Sequence, residues 1–195
     1  FCLSRGLGDV YKRQSIRRVL KCAEAHLLRH GDVEHRISLS HRLSNKMMSA
    51  IMEIEKKAFR RELRYSKEEL SRRMKEKNFV VIMVHVSGNP VGFAIGYKDP
   101  QEASSFYMDT LATVIEKKRI GSTLYHLTAI FCFKQGFHHV TVRTEEQDDR
   151  ERSPKEFYEK LGFYQIPCDP CEGIGMRKDL DQQTINEYVH HLCVE

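Results

Sequence analysis

Residues 115–127 read IEKKRIGSTLYHL, and this stretch, together with its neighbours, decides the fold. Three cations, Lys117, Lys118 and Arg119, stand directly before Ile120-Gly121 and a predicted helix. A helix N-terminus carries unpaired backbone N–H groups and a partial positive charge, so it can hold a phosphate group. A solvated basic turn is the other interpretation of the same residues. The neighbouring elements decide between the two.

Upstream of this turn the pattern predicts three successive strands. FVVIMVHV (79–86) and VGFAIGY (91–97) are apolar runs separated by Ser-Gly-Asn-Pro, which is typical of a β-hairpin. SFYMDTLATV (105–114) alternates, and its alternation puts Asp109 and Leu111 on one face. The strand before the basic turn is therefore part of a sheet.

Further helices and strands surround this centre. Serines predict helix starts at Ser44, at Ser66 with Glu69 three residues on, and at Ser153 followed by Pro154. The pattern also predicts helices and strands in the following ranges: helices at 15–30, from 122 to 134 and at 182–192, and strands near 35–43, 138–144, 163–166 and 173–180.

Two motifs, LATV…RIGSTLY and FYEKLGF (157–163), resemble the GNAT superfamily of acyl-CoA-dependent N-acetyltransferases. The resemblance runs from Arg36 to Leu180, and FYEKLGF is its more specific element. It implies a single-domain α/β GNAT fold with a mixed central β-sheet flanked by helices. It also implies acetyl-CoA as co-substrate, and it favours the phosphate-binding interpretation of the basic turn.

The resemblance assigns cofactor-binding roles to three parts of the chain. Leu111, Ala112 and Thr113 would offer free backbone groups to the amides of the pantetheine arm. The turn would bind the pyrophosphate, and the helix of the FYEKLGF motif would contribute Phe157. The turn residues concerned are Lys117, Lys118, Arg119, Ile120, Gly121, Ser122 and Thr123.

The turn departs from the family pattern at two positions. The family usually has arginine or glutamine, two residues, glycine, one residue, then glycine or alanine. Here Glu116 stands at the first position and Arg119 at the first glycine. We interpret the turn as a phosphate cradle in which a cation replaces one glycine.

Attack of an amine on a thioester needs a base, donors for the carbonyl oxygen and an acid for the leaving thiolate. The resemblance places the acid at Tyr158, and a half-buried packing role is compatible with it. Asp109 is the candidate base, with Glu145, Glu146 or water as alternatives, and a structural or substrate-anchoring role is equally open for Asp109.

The expected reaction is direct acetyl transfer to a primary amine of a small molecule or amino acid, with protein amines left open. The acid-rich segment TEEQDDRE (144–151) either attracts a cationic acceptor or is a solvated loop. The alternative function is a catalytically inactive GNAT-fold module that binds acyl-CoA or a protein.

Composition narrows the function classes. The chain has 195 residues with a formal net charge of +5, which permits an anionic partner without indicating nucleic acid. Its apolar runs are too short to span a membrane. Cysteines are scattered and no secretory signal is recognisable, so we expect a reducing, cytoplasmic location. Nothing in the sequence predicts an oligomeric state.

The first fourteen residues contain SRGLGDVYKRQ, which resembles the translation of a sequencing adapter. We therefore expect residues 1–14 to be an artefact, with the true N-terminus unknown and an upstream domain open. The remaining chain divides into an N-terminal helix or linker (15–35), the acetyltransferase domain (36–180) and a C-terminal helix (181–195).

One cysteine pair has metal-ligand spacing. Cys168 and Cys171 form a C-x-x-C, and a zinc site would need completion by residues of the terminal helix. Without a second pair this signal is weak, and two loop cysteines are the simpler interpretation. We therefore predict no metal. The residues of the terminal helix that would complete the site are His190, His191 and Cys193.

Overall fold

The computed structural model describes residues 3–31, 33–148, 150–169 and 173–194, with backbone alone for residues 3–14. Within these residues the helices are α1 (Leu3–Gly31), α2 (Asn45–Ala58), α3 (Lys67–Arg73), α4 (Ile120–Lys134), α5 (Pro154–Lys160) and α6 (Gln182–Cys193). The strands are β1 (His35–Ser40), β2 (Val80–Val86), β3 (Asn89–Lys98), β4 (Ser105–Thr113), β5 (His139–Thr144), β6 (Tyr164–Ile166) and β7 (Ile174–Asp179). A short 3₁₀ turn at Arg61–Leu63 joins α2 to α3.

The described strands form one mixed sheet in the order β1-β2-β3-β4-β5-β7-β6. β4 and β5 are parallel, and the other neighbours are antiparallel. The predicted α/β architecture, a mixed sheet flanked by helices, is confirmed. The hairpin predicted from Ser-Gly-Asn-Pro joins β2 to β3.

Helices cover both faces of the sheet, which explains why β2 is apolar without alternation. Val81 and Met83 face α2 and α3, whereas Val80, Ile82 and Val84 lie in the larger core with α1, α4 and α6. α4 is hydrophobic on nearly every side because it lies between the sheet and the helices α1 and α6.

Local capping places the helices as predicted. Ser44 Oγ accepts the Met47 N–H at 3.2 Å, and Ser66 forms a complete capping box with Glu69. Ser153 Oγ accepts the N–H of Glu156 at 3.3 Å. These caps fix the starts of α2, α3 and α5.

The N-terminal helix is part of the packed structure. Val19, Ala23 and Leu27 of α1 are buried in the same core as α4 and α6. The predicted helix 15–30 lies inside α1, which starts at Leu3. Phe1 and Cys2 of the predicted artefact lie outside the described residues, and the predicted boundaries at 15, 36 and 181 stay predictions.

Candidate active site

The sheet opens where β4 and β5 separate. The two strands pair only at Ser105, Phe106 and Tyr107 of β4, although β4 continues to Thr113. Beyond Tyr107, β4 remains paired to β3 as far as Thr113, and Leu111 lies opposite Ala94. The edge of β4 that faces away from β3 is thus released from β5 beyond Tyr107. A released strand edge presents backbone groups that can bind an extended ligand.

The turn after β4 delivers a helix N-terminus to this opening. α4 begins at Ile120, two residues earlier than predicted, and the first helical bond runs from Thr123 N to Arg119 O at 2.9 Å. The N–H groups of Ile120, Gly121 and Ser122 therefore have no partner within the helix. They form a positively polarised end to the opening.

Arg119 adopts the conformation that a glycine would favour. Its φ is 60° and its ψ is 4°, in the left-handed region, and Lys117 has φ 57°. Left-handed backbone costs roughly 1–2 kcal/mol in a non-glycine residue. At the position where the family pattern has glycine, Arg119 therefore adopts a left-handed backbone at some conformational cost.

Gly121 brings the cradle against α5. A Cβ on Gly121 would meet the Phe157 ring at 3.4 Å and Leu111 Cδ2 at 3.8 Å. The Phe157 ring in turn lies 5.2 Å, centroid to centroid, from the Tyr158 ring. The two motifs that carry the sequence resemblance are therefore in direct contact.

These elements surround a cleft of about 910 Å³. Eleven of the thirteen predicted site residues line it, whereas Lys118 and Thr123 do not. Thr123 is buried, and its N–H closes the first turn of α4. The lining residues among those predicted are Asp109, Leu111, Ala112, Thr113, Lys117, Arg119, Ile120, Gly121, Ser122, Phe157 and Tyr158.

The cleft is large enough, and suitably lined, for coenzyme A. Small-molecule sites are typically about 300–1,000 Å³. Consecutive residues 109–113 line it because it follows the edge of β4 and not one face. The free N–H groups of α4 and the Arg119 cation suit the pyrophosphate, and the β4 edge suits the pantetheine arm.

Tyr158 is buried in an aromatic setting. The centroid of its ring lies 5.2 Å from the ring centroids of both Phe157 and Phe163, and 9% of the residue is exposed. Burial, with a smaller contribution from Tyr107, raises the pKa of Tyr158 above its ordinary value. The phenol therefore carries its proton at neutral pH and lines the cleft from the α5 side.

Asp109 lies in a polar network where the pairing of β4 with β3 shifts by one residue, between Thr110 and Met108. This irregularity interrupts the alternation that was expected to put Asp109 on the face of Leu111. Its Oδ2 is 3.2 Å from Arg73 Nε, and its side chain is 4% exposed. Burial raises the pKa of Asp109, while hydrogen bonds from Tyr65 and Tyr97 and the Arg73 charge oppose the shift. The carboxylate is thus held in place and more basic than an exposed aspartate.

Glu55 is a buried acid that sequence reasoning missed. The residue is fully buried on α2, and its Oε2 accepts the Tyr65 N–H at 3.0 Å. Burial raises the pKa of Glu55 to about 7. Tyr65 OH in turn accepts from Thr110 Oγ1 at 3.1 Å, so Glu55 supports the loop wall beside Asp109. Its position on the apolar stripe of α2, between Ile54 and Ala58, was the available signal.

The alternative bases differ in their access to the cleft. Glu145 lines the cleft and is ion-paired with Arg60. Glu146 has a side chain 68% exposed and pairs with Lys155 at 3.1 Å. Glu146 does not line the cleft, so of the three carboxylates predicted as candidate bases only Asp109 and Glu145 line it.

The cysteine motif has a different setting. Cys168 Sγ donates to Gly173 O and accepts from Gly175 N, each at 3.1 Å, and Cys171 lies outside the described residues. No group of three or more metal-ligating side chains in the described ranges is arranged to hold a metal ion. Likewise, none of the helices described is both long and apolar enough to cross a membrane.

Comparison with known proteins supports the same interpretation of the cleft as its geometry does. Residues 45–163 match the model of the acetyltransferase (GNAT) family. The chain belongs to the acetyltransferase (GNAT) family. As a member it is an acyltransferase, and acetyl-CoA is its co-substrate. The matched range includes β4, the basic turn, α4 and α5.

Solved structures share this fold at low sequence identity. One is the ribosomal-protein-S18-alanine N-acetyltransferase from Escherichia coli, with 15% identity and a TM-score of 0.59, over 75% of this chain and 95% of that one. Another is the aminoglycoside 6'-N-acetyltransferase from Enterococcus faecium, with 18% identity and a TM-score of 0.60, over 73% and 96%. PaiA N-acetyltransferase from Thermoplasma acidophilum, in complex with coenzyme A, has 18% identity and a TM-score of 0.56, over 74% and 99%. No curated protein matches the chain.

Proposed function

We propose that this chain transfers an acetyl group directly from acetyl-CoA to a primary amine of a small molecule or amino acid. The observation that carries the proposal is the opening between β4 and β5. It joins the N-terminus of α4 to a cleft that both Tyr158 and Asp109 line. The proposed phosphate-binding turn and the proposed catalytic side chains therefore line the same cavity.

The binding of acetyl-CoA is assigned to the released strand edge and the cradle. Leu111, Ala112 and Thr113 offer backbone groups to the pantetheine amides. The N–H groups of Ile120, Gly121 and Ser122 and the cations Lys117 and Arg119 hold the pyrophosphate. Phe157 packs over Gly121 and orients the arm toward Tyr158. Lys118 and Thr123 have secondary parts, because neither lines the cleft.

Tyr158 acts as the general acid in this proposal. Acetyl-CoA supplies the acetyl group as a thioester, whose sulfur needs a proton as it leaves. The Tyr158 hydroxyl donates that proton, and the raised pKa of the buried phenol keeps the hydroxyl protonated beforehand.

Asp109 acts as the general base, directly or through a water molecule. An amine reaches the cleft as an ammonium ion and must lose a proton before it attacks. The Asp109 carboxylate is the best placed acceptor, because burial raises its pKa while Arg73 and two tyrosines hold it in position. Glu145 is the alternative, and its ion pair with Arg60 makes it the weaker one.

The acidic lining beside Asp109 favours a cationic acceptor. Glu62 and Glu69 line the same cleft from the segment between α2 and α3. The names of the structural neighbours cover both protein and small-molecule acceptors. A small amine is the simpler proposal, because the segments on either side of the mouth are joined by the Arg60–Glu145 pair. A reducing, cytoplasmic location belongs to the same proposal, because the cysteines are scattered along the sequence.

The test combines binding with turnover. Coenzyme A is titrated into the protein by calorimetry, and acetyl-CoA with a panel of small amines, amino acids and peptides is followed by thiol release. The expected results are saturable binding and acceptor-dependent release from a small amine. Binding without release for every acceptor would instead support the alternative, an acyl-CoA-binding module. Release only with peptides would move the acceptor class to proteins.

A further inference from the structure

Arg152 connects three separate parts of the chain at the mouth of the cleft. Its Nη1 donates to Glu116 Oε1 at 2.9 Å, and its Nε donates to Asp148 Oδ2 at 2.6 Å. Its Nη2 donates to Ala58 O at 3.1 Å. One guanidinium therefore joins the basic turn, the loop before α5 and the end of α2.

The partner Glu116 is one of the two residues at which this turn departs from the family pattern. It stands where the family has arginine or glutamine, and it lines the cleft beside Lys117 and Arg119. An unpaired carboxylate there would repel the pyrophosphate of the co-substrate. The Arg152 guanidinium, 36 residues further along the chain, places a cation against this carboxylate.

The local structure fixes Arg152 for this contact. Asp148 Oδ1 accepts the backbone N–H groups of Arg150 and Arg152 at 2.9 and 3.0 Å, while Asp148 Oδ2 binds the guanidinium. Asp148 N also donates to Arg152 O at 2.9 Å. A planar guanidinium suits several acceptors at fixed angles, which the ammonium of lysine does not.

The ion pair between Arg152 and Glu116 is expected to add little to the stability of the fold. The side chains of Arg152 and Glu116 are 34% and 55% exposed, and ion pairs at such exposure are usually worth little. The effect is therefore expected on a ligand that approaches the turn. Phosphate oxygens would meet the charge of Glu116 directly if Arg152 did not bind it.

We propose that Arg152 is a positioning residue that neutralises Glu116 and holds its carboxylate against the loop before α5, so that the turn accepts pyrophosphate. This inference rests on the proposed function, in which the turn binds coenzyme A. Arg152 acts through Glu116 in this assignment and does not itself bind the phosphates.

The test is a double-mutant cycle read out as affinity. Arg152→Gln, Glu116→Gln and the double variant are titrated with coenzyme A and with S-acetylpantetheine, which lacks the pyrophosphate. Arg152→Gln is expected to weaken coenzyme A binding about tenfold, the scale of one unneutralised charge near an anion. In the Glu116→Gln background the same change is expected to alter binding by no more than about twofold. Binding of S-acetylpantetheine stays unchanged throughout.

A matched control removes the same charge elsewhere. Lys160→Gln deletes a cation that pairs with Glu156 at 3.5 Å and does not line the cleft, so coenzyme A binding should stay the same. If Arg152→Gln does not fold, Arg152→Lys replaces it. Its expected effect is a loss of about threefold that disappears in the Glu116→Gln background.

Two results overturn the inference. Equal losses from Arg152→Gln with and without Glu116 would mean that Arg152 contacts the ligand itself or only supports the loop. No loss in either background would mean that Glu116 is harmless to the ligand. Both results leave the proposed function standing if the unmodified chain binds coenzyme A. The proposed function fails separately, if that chain does not bind it.

Discussion

The cleft and the layer of α1, α4 and α6 both bury polar side chains, but they treat them differently. In the cleft, Asp109 is ion-paired with Arg73 and flanked by tyrosine hydroxyls. In the helical layer, His26 and His126 are buried, and ring nitrogens of both have no hydrogen-bond partner. Asp109 Oδ2 also lacks a hydrogen-bond partner, so the difference is one of charge: a cation lies beside Asp109, whereas His26 lies beside further histidines and arginines.

The helical layer contains a cluster of aromatic rings. The His26 ring lies 4.6 Å from His30 and 4.7 Å from His191, and the His126 ring stacks on Tyr188 at 4.4 Å. Burial, followed by the neighbouring histidine charges, lowers the pKa of His26 to about 4 and that of His126 to about 3. His26 and His126 therefore stay neutral in the folded state over the pH range in which unfolded histidines become charged.

Asp109→Asn should produce the largest effect on the cleft side of the comparison. It removes the proposed base while retaining the shape of the side chain, so turnover should fall by roughly 10²- to 10⁴-fold. The measurement is thiol release at saturating acetyl-CoA. Glu146→Gln serves as the control, because Glu146 is exposed and absent from the cleft lining. Normal turnover in Asp109→Asn, with loss in Glu145→Gln, would transfer the role to Glu145.

Acidification should produce the largest effect on the helical side. The folded pKa values of His26 and His126 lie below the unfolded value of 6.5, so the unfolded state binds protons first as pH falls. Each of the two histidines should lower the free energy of unfolding by about 2 kcal/mol as pH falls from 7 to 5, whereas Glu55, whose pKa is raised to about 7, opposes this loss over the same range. The measurement is urea unfolding at several pH values. The charged and titratable groups that face His26 and His126 are Arg29 and His30 on α1, Arg119 directly before α4, and Tyr188 and His191 on α6.

A variant pair sharpens the pH prediction. His126→Gln removes one titrating group from the cluster, whereas His138→Gln removes an exposed histidine elsewhere. The slope of stability against pH should become shallower only in His126→Gln. An unchanged slope in that variant would contradict the account of the buried cluster.

Arg119→Gly separates the backbone strain at Arg119 from the contribution of its charge to ligand binding. Glycine adopts the observed φ of 60° without a Cβ penalty, so the folded state should become about 0.5–1 kcal/mol more stable. Coenzyme A affinity should fall several-fold, because a cation beside the phosphates is lost. Denaturant unfolding and calorimetric titration measure the two effects. A gain in both stability and affinity would remove Arg119 from the proposed cradle.

Removal of residues 1–14 should have the smallest effect. The buried side chains of α1 named here begin at Val19, and the histidines of the cluster lie beyond it. The free energy of unfolding and coenzyme A affinity should stay within about 1 kcal/mol of the full chain. A larger loss on deletion would make the segment part of the fold and would argue against an adapter origin.

Local signals predicted much of the fold, because they act over a few residues. Ser-Gly-Asn-Pro predicted the hairpin, and Ser44, Ser66 and Ser153 predicted three helix starts. α4 starts at Ile120, two residues before the predicted start, because the left-handed cap at Arg119 has no sequence signal without glycine.

The site was less predictable, because its contacts cross long stretches of sequence. Arg152 reaches Glu116 across 36 residues, and the network around Asp109 joins β4 to Arg73 and Tyr97. The burial of Glu55 depends on how the loop after α2 folds back over it. Pattern alone therefore identified residues of the cleft, but not the charges that tune it.

Turnover of Tyr158→Phe, with its coenzyme A dissociation constant, tests the central claim most directly. The substitution retains the ring between Phe157 and Phe163 and removes only the proton proposed to reach the leaving sulfur. Tyr164→Phe, at an exposed tyrosine bonded to Asp179, is the matched control. The account predicts unchanged affinity and a fall in turnover of roughly 10²- to 10⁴-fold for Tyr158→Phe alone. Equal turnover in Tyr158→Phe and the unmodified chain would contradict it.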